Sequence, residues 1–486
     1  MVLDWRLTVK AEMNVVLIEV TTEEYRHNPL SQMARVLEPL AIEYIGAYLK
    51  QFGHNVKLLH QLNKGNKEVV EEIVSHHPDM VGISCMTYSF LDAREIACDI
   101  KKRLPKTATV LGGYHVLGLT DCPPGFDFVV KGEGERPCRD ILEFLKTGLP
   151  APNTIPGLHA YRDPQTGISH HGKCSSLGVT LQTLPFPMRE PRETYFSKSL
   201  GENLPETRLA CIVIKRGCPF HCDFCCTPQL FQGQHGARNI DHVIDEIHYL
   251  HDNFGVNTLN LRDETFGPES VVTEFCEKLL KSGLKVHWRA FAVVGTLKHD
   301  TLALMAEAGC HMLFYGIEAS DPKTLRLRHK SFARHIDRVA PDIEFAQSRG
   351  IFVRGGFIVG HETDTEDTFV QHLDFLKKAH PDELYVSFLT PFPGTPLYER
   401  TEKKIRERNW RKYDCDHPIL DFGIPAEKLA LLRQELYRSY YTSDEWKKHI
   451  DARAKRPNEK TTIRLYKEFV EERLKTPNEF ALVSGS

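Results

Sequence analysis

Short apolar runs alternate with amphipathic stretches along most of this chain, and this pattern constrains the fold more than any other feature of the sequence. In its first part the apolar runs of strand length are Asn14 to Val20, 55–59, 80–85, 108–111 and 126–130. The amphipathic stretches between them have the length of helices and cover residues 39–52, 67–76, 91–104 and 136–147. This order is typical of a parallel sheet with helices on both faces. It predicts an α/β, doubly wound domain over residues 1–150.

A proline-rich stretch separates this series from a second one. The prolines that exclude a long helix there are Pro150, Pro152, Pro156, Pro164, Pro185, Pro187 and Pro191. They predict a linker with some short strands over residues 151–205. The second series supplies the apolar runs Leu209 to Ile214, 258–261, 286–292, 312–317, 351–359 and 384–389.

Helix signals separate the runs of the second series. The clearest is an i, i+3, i+4, i+7 stripe made by Ile240, Val243, Ile244, Ile247, Leu250 and Phe254. The series predicts a partial (β/α)6 barrel over residues 206–400, open along one side. Residues 401–486 are polar and predict a small helical C-terminal region, in which the charged run 402–412 forms a solvated helix face.

Charge and composition restrict the possible partners. The chain has 62 Lys and Arg against 65 Asp and Glu, a net charge of −3, so no global field draws it to nucleic acid. Residues 1–13 lack the apolar core of a secretion signal, and no apolar run reaches the roughly 18 residues of a membrane span. We expect a cytoplasmic protein without a membrane span. In that compartment its 13 cysteines are reduced.

Cysteines in the pattern C-x3-C-x2-C follow the first strand of the second series. Cys218, Cys222 and Cys225 lie on one short loop, where each thiolate can bind a different iron of a [4Fe-4S] cluster. The fourth iron is then open to a cofactor or substrate. Structural zinc is the alternative, but Cys226 directly adjoins Cys225 and no second pair of ligands follows at zinc-finger spacing. Cys226 is interpreted as a bystander.

The whole segment Lys215 to Cys226, with the aromatic Phe224 before the last cysteine, resembles the cluster loop of the radical S-adenosylmethionine superfamily. In that family the amine and carboxylate of S-adenosylmethionine chelate the open iron. Reduction by one electron then yields methionine and a 5'-deoxyadenosyl radical. The resemblance implies that Phe224 belongs to the cofactor site and that Cys218, Cys222 and Cys225 are the metal ligands.

Further motifs extend this resemblance over roughly residues 206–400. The segment Arg262 to Phe266 is similar to the acidic loop that receives the amino group of the cofactor, which implies this role for Asp263 or Glu264; a helix cap is the alternative. Residues 314–318 resemble the fourth-strand motif of the family, which implies that Glu318 bonds to the ribose hydroxyls. Lys330 matches a basic position that pairs the methionyl carboxylate in some relatives. Two later segments, 357–360 and 390–396, resemble those of the fifth and sixth strands.

A doubly wound domain before such a barrel resembles the cobalamin-binding subclass of this superfamily. The segments that carry the likeness are 38–46, Gly53-His54, 82–84, 112–115 and 131–135. The resemblance implies that Gly112, Gly113, Tyr114 and His115 contact cobalamin, although two glycines can also simply form a tight turn. The D-x-H-x-x-G pattern, which supplies a histidine to cobalt in methionine-synthase-like proteins, is absent. Cobalamin should therefore bind without that ligand.

The resemblance implies cobalamin-dependent methylation of an unactivated carbon. The alternative is a non-methylating radical reaction in a biosynthetic pathway, such as cyclisation, ring contraction, deoxygenation or rearrangement. A sensor without turnover is disfavoured by the intact cysteine motif, and a methylthiolase by the lack of a second cysteine cluster. The expected partners are a small-molecule or peptide substrate and an electron donor such as flavodoxin or ferredoxin. The sequence assigns no catalytic side chain and names no substrate.

Overall fold

The computed structural model describes residues 12–22, 38–61, 64–163, 166–172, 181–189, 208–456 and 460–475. The predictions for residues 1–11, for 164–165, 173–180 and 190–205 of the linker, and for 457–459 and 476–486 of the C-terminal region lie outside these ranges. The strands are β1 (Asn14–Val20), β2 (Asn55–His60), β3 (Met80–Cys85), β4 (Ala108–Gly112), β5 (Phe128–Val130), β6 (Leu158–Arg162), β7 (Ser169–His171), β8 (Leu209–Ile212), β9 (Lys215–Arg216), β10 (Gly236–Ala237), β11 (Thr258–Leu261), β12 (His287–Ala292), β13 (Cys310–Glu318), β14 (Phe352–Val359) and β15 (Glu383–Phe388).

Helices connect most of these strands. They are α1 (Leu40–Gln51), α2 (Asn66–Ser75), α3 (Phe90–Arg103), α4 (Glu135–Thr147), α5 (Thr227–Leu230), α6 (Ile240–Phe254), α7 (Glu269–Ser282), α8 (His299–Glu307), α9 (Pro322–Leu327), α10 (Val339–Ser348), α11 (Glu366–Ala379), α12 (Pro396–Thr401), α13 (Ala426–Tyr441), α14 (Asp444–Ala454) and α15 (Lys460–Lys475).

The first sheet has the order β2-β1-β3-β4-β5-β6-β7, and its first five strands are parallel. Apolar side chains of both faces are buried, one set beneath α2 and α3 and the other beneath α1 and α4. The predicted doubly wound sheet is confirmed. The short strands β6 and β7, from the predicted linker, extend this sheet in antiparallel pairing. The order reverses between β1 and β3, where α/β folds of this kind leave a ligand crevice beyond the strand ends.

The second sheet has the order β15-β14-β13-β12-β11-β8, and all its neighbours are parallel. It is the predicted partial barrel, with β8 and β15 at its free edges. Helix α6 illustrates why the connections are helical: its stripe of Ile, Val and Leu is buried, the Asn239 side chain accepts from the Asp241 N–H at its start, and Gly255 ends it in the left-handed conformation.

The C-terminal region differs from the prediction at the charged run 402–412. This run forms two short 3-10 turns, Glu402–Lys404 and Trp410–Lys412, rather than a continuous helix. Between the turns Ile405 forms an antiparallel bridge with Leu420, so its backbone bonds to another segment instead of to a helical turn. Helices α13, α14 and α15 follow. No helix among the described residues is both long enough and apolar enough to cross a membrane.

Candidate active site

The loop with the C-x3-C-x2-C motif begins on a small two-stranded ribbon. Its first strand, β9, leaves the barrel sheet after β8 and pairs antiparallel with β10. The Asp263 carboxylate at the end of β11 accepts from the Ile214 and Lys215 N–H groups at 2.8 and 3.0 Å. Gly217 has a φ of 78°, and a Cβ there would collide with the Gln234 carbonyl. These contacts fix the direction in which the chain enters the loop.

The three motif thiols lie together and are half-buried. Burial raises the pKa of each, to about 12 for Cys222, and neighbouring motif thiols raise the pKa of Cys222 and Cys225 further. Three adjacent thiolates therefore need a strong positive centre, which iron supplies. No three His, Cys, Asp or Glu side chains among the described residues surround one ion-sized position. A cubane needs no such arrangement, because each thiolate binds its own iron. The donor set fits a [4Fe-4S] cluster.

Lys330 and Glu318 form an ion pair beside these thiols. The Lys330 Nζ lies 2.9 Å from the Glu318 Oε1, and both side chains are largely buried. Burial lowers the pKa of Lys330, but Glu318, Cys222 and Cys225 together raise it above its usual range. The sequence prediction placed both residues at the cofactor, and the structure brings both to the cluster loop.

Local backbone geometry aims the Glu318 carboxylate. The β13–β14 register shifts between Gly316 and Glu318, and Glu318 has a φ of 69°, which is rare for a residue with a side chain. A Cβ at Gly316 would collide with the Glu318 carboxylate. A side chain at 316 would therefore force the Glu318 carboxylate to shift from its position beside Lys330.

The two acidic residues after β11 do different work. Asp263 supports the loop backbone, as described above, and burial raises its pKa to about 7. Glu264 bonds to the Gly217 backbone, and burial raises its pKa as well. One carboxylate oxygen of each is buried and accepts no hydrogen bond from the described residues. Of the two, Glu264 lines the central cavity.

The cluster loop is also anchored from its far side. Phe224 packs against an apolar cluster that includes Leu389 and Leu397. The buried Asp223 lies 3.4 Å from the Arg328 guanidinium and 3.1 Å from that of Arg400. The sequence prediction missed Asp223 and Arg328. The sequence does place a carboxylate, Asp223, inside the cysteine motif and an arginine, Arg328, two residues before Lys330, and this pairing of charges could have indicated their contact.

A cavity of about 630 Å³ lies between the strand ends of the first sheet, the barrel and the C-terminal region. Gly112, Gly113 and Tyr114 line it from the end of β4. A Cβ on Gly112 would meet nothing within 4 Å, and Gly113, with a φ of 94°, passes against the Cys85 backbone. Arg411 and residues 413–417 of the C-terminal region also line the cavity. The cavity coincides with the crevice expected at the strand-order reversal, so this glycine-edged wall fits a bulky cofactor such as cobalamin.

Tyr114 and His115 differ in their surroundings. Tyr114 hydrogen-bonds to Thr227, just beyond the motif cysteines, and so joins the two domains at the cavity. His115 is not among the cavity-lining residues. Its ring stacks on Phe90 at 3.9 Å and meets the edge of Trp410 at 5.4 Å. Burial lowers the pKa of His115 to about 4.

Arg216 of the cluster loop pairs with the first domain. Its guanidinium lies 2.8 Å from Glu133 and 2.7 Å from Glu135, and 5.1 Å from the ring centre of Tyr44. The glutamates belong to the Lys131–Glu135 segment, which the resemblance assigned to the cobalamin-binding subclass. This contact sets the cluster loop against the end of β5.

A buried ion network joins the domains at the edge of β8. Arg189, from the predicted linker, lies 2.6 Å from Glu38 and 2.8 Å from Glu246, and all three side chains are almost fully buried. Glu38 accepts from the Cys211 N–H, while Arg189 donates to the Cys211 carbonyl at 2.7 Å. Arg238 completes the network on Glu246. The sequence prediction missed all four charged residues as a group.

Comparisons with known proteins agree with both modules. The family model for the B12 binding domain matches residues 30–142, and that for the Radical SAM superfamily matches residues 212–376. An uncharacterized methyltransferase of Pyrococcus horikoshii is 26% identical over 418 residues, which are 83% of this chain and 87% of that protein. The hopanoid C-3 methylase of Methylococcus capsulatus is 24% identical over 429 residues, 83% of this chain and 77% of the methylase.

Solved structures share the fold. The radical S-adenosylmethionine methyltransferase TsrM from Kitasatospora setae, with cobalamin and [4Fe-4S] cluster bound, matches with a TM-score of 0.65 at 18% identity, over 81% of this chain and 78% of TsrM. The cobalamin-dependent radical enzyme OxsB matches with a TM-score of 0.64 at 17% identity, over 97% of this chain and 74% of OxsB. The chain belongs to the radical S-adenosylmethionine superfamily, in the subclass with an N-terminal B12-binding domain, and its cofactors are a [4Fe-4S] cluster, S-adenosylmethionine and cobalamin.

Proposed function

We propose that this enzyme methylates an unactivated carbon of a small molecule or peptide. The observation that carries the proposal is the shared cavity, since the Gly112–Tyr114 wall of the first domain and Glu264 beside the cluster loop line the same space. When bound, the cluster and S-adenosylmethionine supply a hydrogen-abstracting radical, and cobalamin supplies a methyl group. A substrate in this cavity would be open to both.

The chain's own residues have distinct tasks in this proposal. Cys218, Cys222 and Cys225 bind three irons. Glu318 and Lys330 stand beside them as a preformed polar pair, Glu318 for the ribose hydroxyls and Lys330 for the methionyl carboxylate of the cofactor. The pair is largely buried, so it would keep bulk water away from the cofactor atoms that it holds.

Glu264 is the better candidate for the cofactor amino group, because it lines the cavity and one of its buried oxygens accepts no hydrogen bond from the described residues. Asp263 instead positions the loop through its backbone contacts. Phe224 supports the loop by packing behind it. Gly112, Gly113 and Tyr114 form the wall against which cobalamin binds, and His115 supports that wall from behind.

A non-methylating reaction is the second candidate. The anaerobic magnesium-protoporphyrin IX monomethyl ester cyclase of Synechocystis is 25% identical over 411 residues, 79% of this chain and 77% of the cyclase. Cyclisation needs the same radical but no methyl transfer to product. We further propose a cytoplasmic location and an electron donor of the flavodoxin or ferredoxin class.

The cluster assignment is tested by reconstitution without oxygen. The protein should hold about four irons per chain and cleave S-adenosylmethionine reductively. Ala at Cys218, Cys222 or Cys225 should abolish cleavage, whereas Cys226→Ala, the adjacent control, should retain the cluster. Undiminished 5'-deoxyadenosine from any of the three motif variants would refute the ligand assignment.

The cobalamin wall is tested by hydroxocobalamin binding, followed by equilibrium dialysis and visible spectroscopy. Gly112→Val should weaken binding, because its side chain enters open space at the cavity. Gly65→Val is the matched control, since a Cβ at Gly65 also meets nothing within 4 Å and Gly65 does not line the cavity. Equal binding by both variants would contradict this wall assignment.

The reaction is tested with S-adenosylmethionine labelled in its methyl group and a metabolite extract from cells that lack the enzyme. Methylation predicts labelled product, with 5'-deoxyadenosine and S-adenosylhomocysteine in about equal amounts. An unlabelled product formed without S-adenosylhomocysteine would reject methylation in favour of cyclisation or rearrangement.

A further inference from the structure

A basic segment without acidic residues lies against the cluster loop. Residues 322–336 comprise helix α9 and the loop after it, and they contain no Asp or Glu. Their charged side chains are Lys323, Arg326, Arg328, Lys330 and Arg334. Acidic residues, Asp321 and Asp337, adjoin the two ends of this segment. We call residues 322–336 the basic segment.

Two side chains of the basic segment point inward and fix it to the cluster loop. Arg328 is fully buried and lies 3.4 Å from Asp223, inside the cysteine motif. Lys330 is buried beside Glu318 and interacts electrostatically with the Cys222 and Cys225 thiols. The segment therefore directly adjoins the proposed cluster position.

The other basic side chains face outward. Lys323, Arg326 and Arg334 are exposed. None of them has a carboxylate partner among the described residues. His329 and His335 are also exposed on the same segment. The outer side thus carries three exposed basic side chains that form no ion pair with the described residues.

We infer that the basic segment is the docking surface for a small acidic one-electron carrier protein. This inference rests on the proposed function, which needs one electron per cleavage of S-adenosylmethionine. The reduced carrier gives up one electron and is oxidised, and the cluster accepts it, so no further reactant is required. Electron transfer slows steeply with distance, and two residues of the same segment contact the cluster loop: Arg328 lies against Asp223, and Lys330 interacts with the Cys222 and Cys225 thiols.

Charge complementarity selects the class of partner. An acidic carrier is attracted to an unpaired basic surface, which raises its rate of association. Electron-transfer complexes are also small and transient, with less than about 1,200 Å² of buried surface, so a single short segment can dominate the contact. Nucleic acid, the other polyanion, is tested as the competing outcome.

The experiment uses the reconstituted full chain with an acidic flavodoxin, its reductase and NADPH. The double variant Arg326→Glu/Arg334→Glu is compared with Lys102→Glu/Arg464→Glu, which makes the same change in charge at exposed positions on α3 and α15. The dissociation constant for flavodoxin is measured at low and high ionic strength. Release of 5'-deoxyadenosine is measured with flavodoxin and, separately, with titanium(III) citrate.

The docking variant should bind flavodoxin about 10-fold or more weakly at low ionic strength, and the difference should shrink as salt is added. Its activity should fall with flavodoxin but remain unchanged with titanium citrate, while the control variant keeps both. Unchanged flavodoxin affinity, or equal loss with both reductants, would overturn the inference. Binding of a labelled RNA is measured in parallel, and a loss of RNA binding with unchanged flavodoxin binding would also overturn the inference. Failure of wild-type cleavage with titanium citrate would instead count against the proposed function.

Discussion

The two free edges of the barrel sheet are closed in different ways. At β8, the Cys211 N–H and carbonyl bond to Glu38 and Arg189, which belong to a fully buried network of charges. At β15, the Leu384 and Val386 N–H groups donate to the hydroxyls of Tyr441 and Tyr437 at 2.9 and 2.6 Å. Both devices satisfy backbone groups that would otherwise pair with another chain.

The two edges differ in whether they fix the orientation of a neighbouring domain. Buried charges are poor stabilisers, because desolvation offsets their attraction, but they tolerate few alternative arrangements. Neutral hydroxyls also satisfy the backbone of an edge strand, but a misplaced hydroxyl costs less free energy than an unpaired buried charge. The charged edge is the one that holds the first domain, whose strand ends must face the cluster loop across a shared cavity. We therefore infer that the ion network at β8 fixes the orientation of the first domain relative to the barrel, whereas the tyrosine hydroxyls at β15 only satisfy free backbone groups of that edge.

The largest expected effect comes from breaking the charged edge. Arg189→Met leaves Glu38 and Glu246 buried without their shared partner, which should lower the free energy of unfolding by about 3–5 kcal/mol. Denaturant titration measures the change. Arg103→Met is the control, since its pair with Glu71 is exposed, and it should change stability by less than about 0.5 kcal/mol. A similar small effect for both variants would contradict the difference between buried and exposed charges.

A titratable contact lies where the C-terminal region meets the first domain. Burial between Phe90 and Trp410 lowers the pKa of His115 to about 4, below its ordinary value of 6.5. Between these two pH values the unfolded chain binds more protons at this site than the native protein, so native stability falls as the pH falls. By pH 4 the loss amounts to about 3 kcal/mol.

His115→Phe removes the proton-binding group and keeps an aromatic ring between Phe90 and Trp410. The stability difference between wild type and variant should therefore change between pH 6.5 and 4 and stay constant above pH 7. A difference that is independent of pH over the whole range would show that His115 is not the titrating group. His76→Phe, at an exposed site, serves as the control.

The pairing of Arg216 with Glu135 extends the charged attachment to the cluster loop. A double-mutant cycle with Arg216→Met and Glu135→Gln should give a coupling energy of about 2 kcal/mol. The network at β8 should be unaffected, since Arg189 contacts neither residue. Strict additivity of the two changes would mean that the pair does not hold the loop.

Much of the fold was predictable because apolar spacing records which side of each element is packed. All five strands predicted in the first domain and all six predicted in the barrel are present, with shifts of a few residues such as Leu209–Ile212 for the predicted 209–214. The prediction of a helix over the charged run 402–412 was wrong. Its sequence has no apolar stripe that would indicate a packed helix face, and its backbone conformation depends on contacts with distant residues, such as the bridge between Ile405 and Leu420.

The candidate site was predictable where its residues follow one another. The C-x3-C-x2-C spacing identifies Cys218, Cys222 and Cys225 from the sequence alone. The residues that join the domains do not: Glu38, Arg189 and Glu246 are far apart in the chain, and isolated charged residues are usually exposed. Likewise, no local pattern distinguishes Tyr114, which lines the cavity, from His115, which packs behind it.

The smallest effect concerns the neutral edge. Tyr441→Phe removes the hydroxyl that accepts from the Leu384 N–H and bonds to Tyr466, and should lower stability by about 1 kcal/mol. Tyr249→Phe, on the exposed surface of α6, should change it little. Hydrogen exchange should locate the effect: the Leu384 amide should exchange faster, whereas the Cys211 amide at the charged edge should keep its wild-type rate. Faster exchange at both edges would mean that the two edges open together, and the contrast between an orienting edge and a covering edge would then fail.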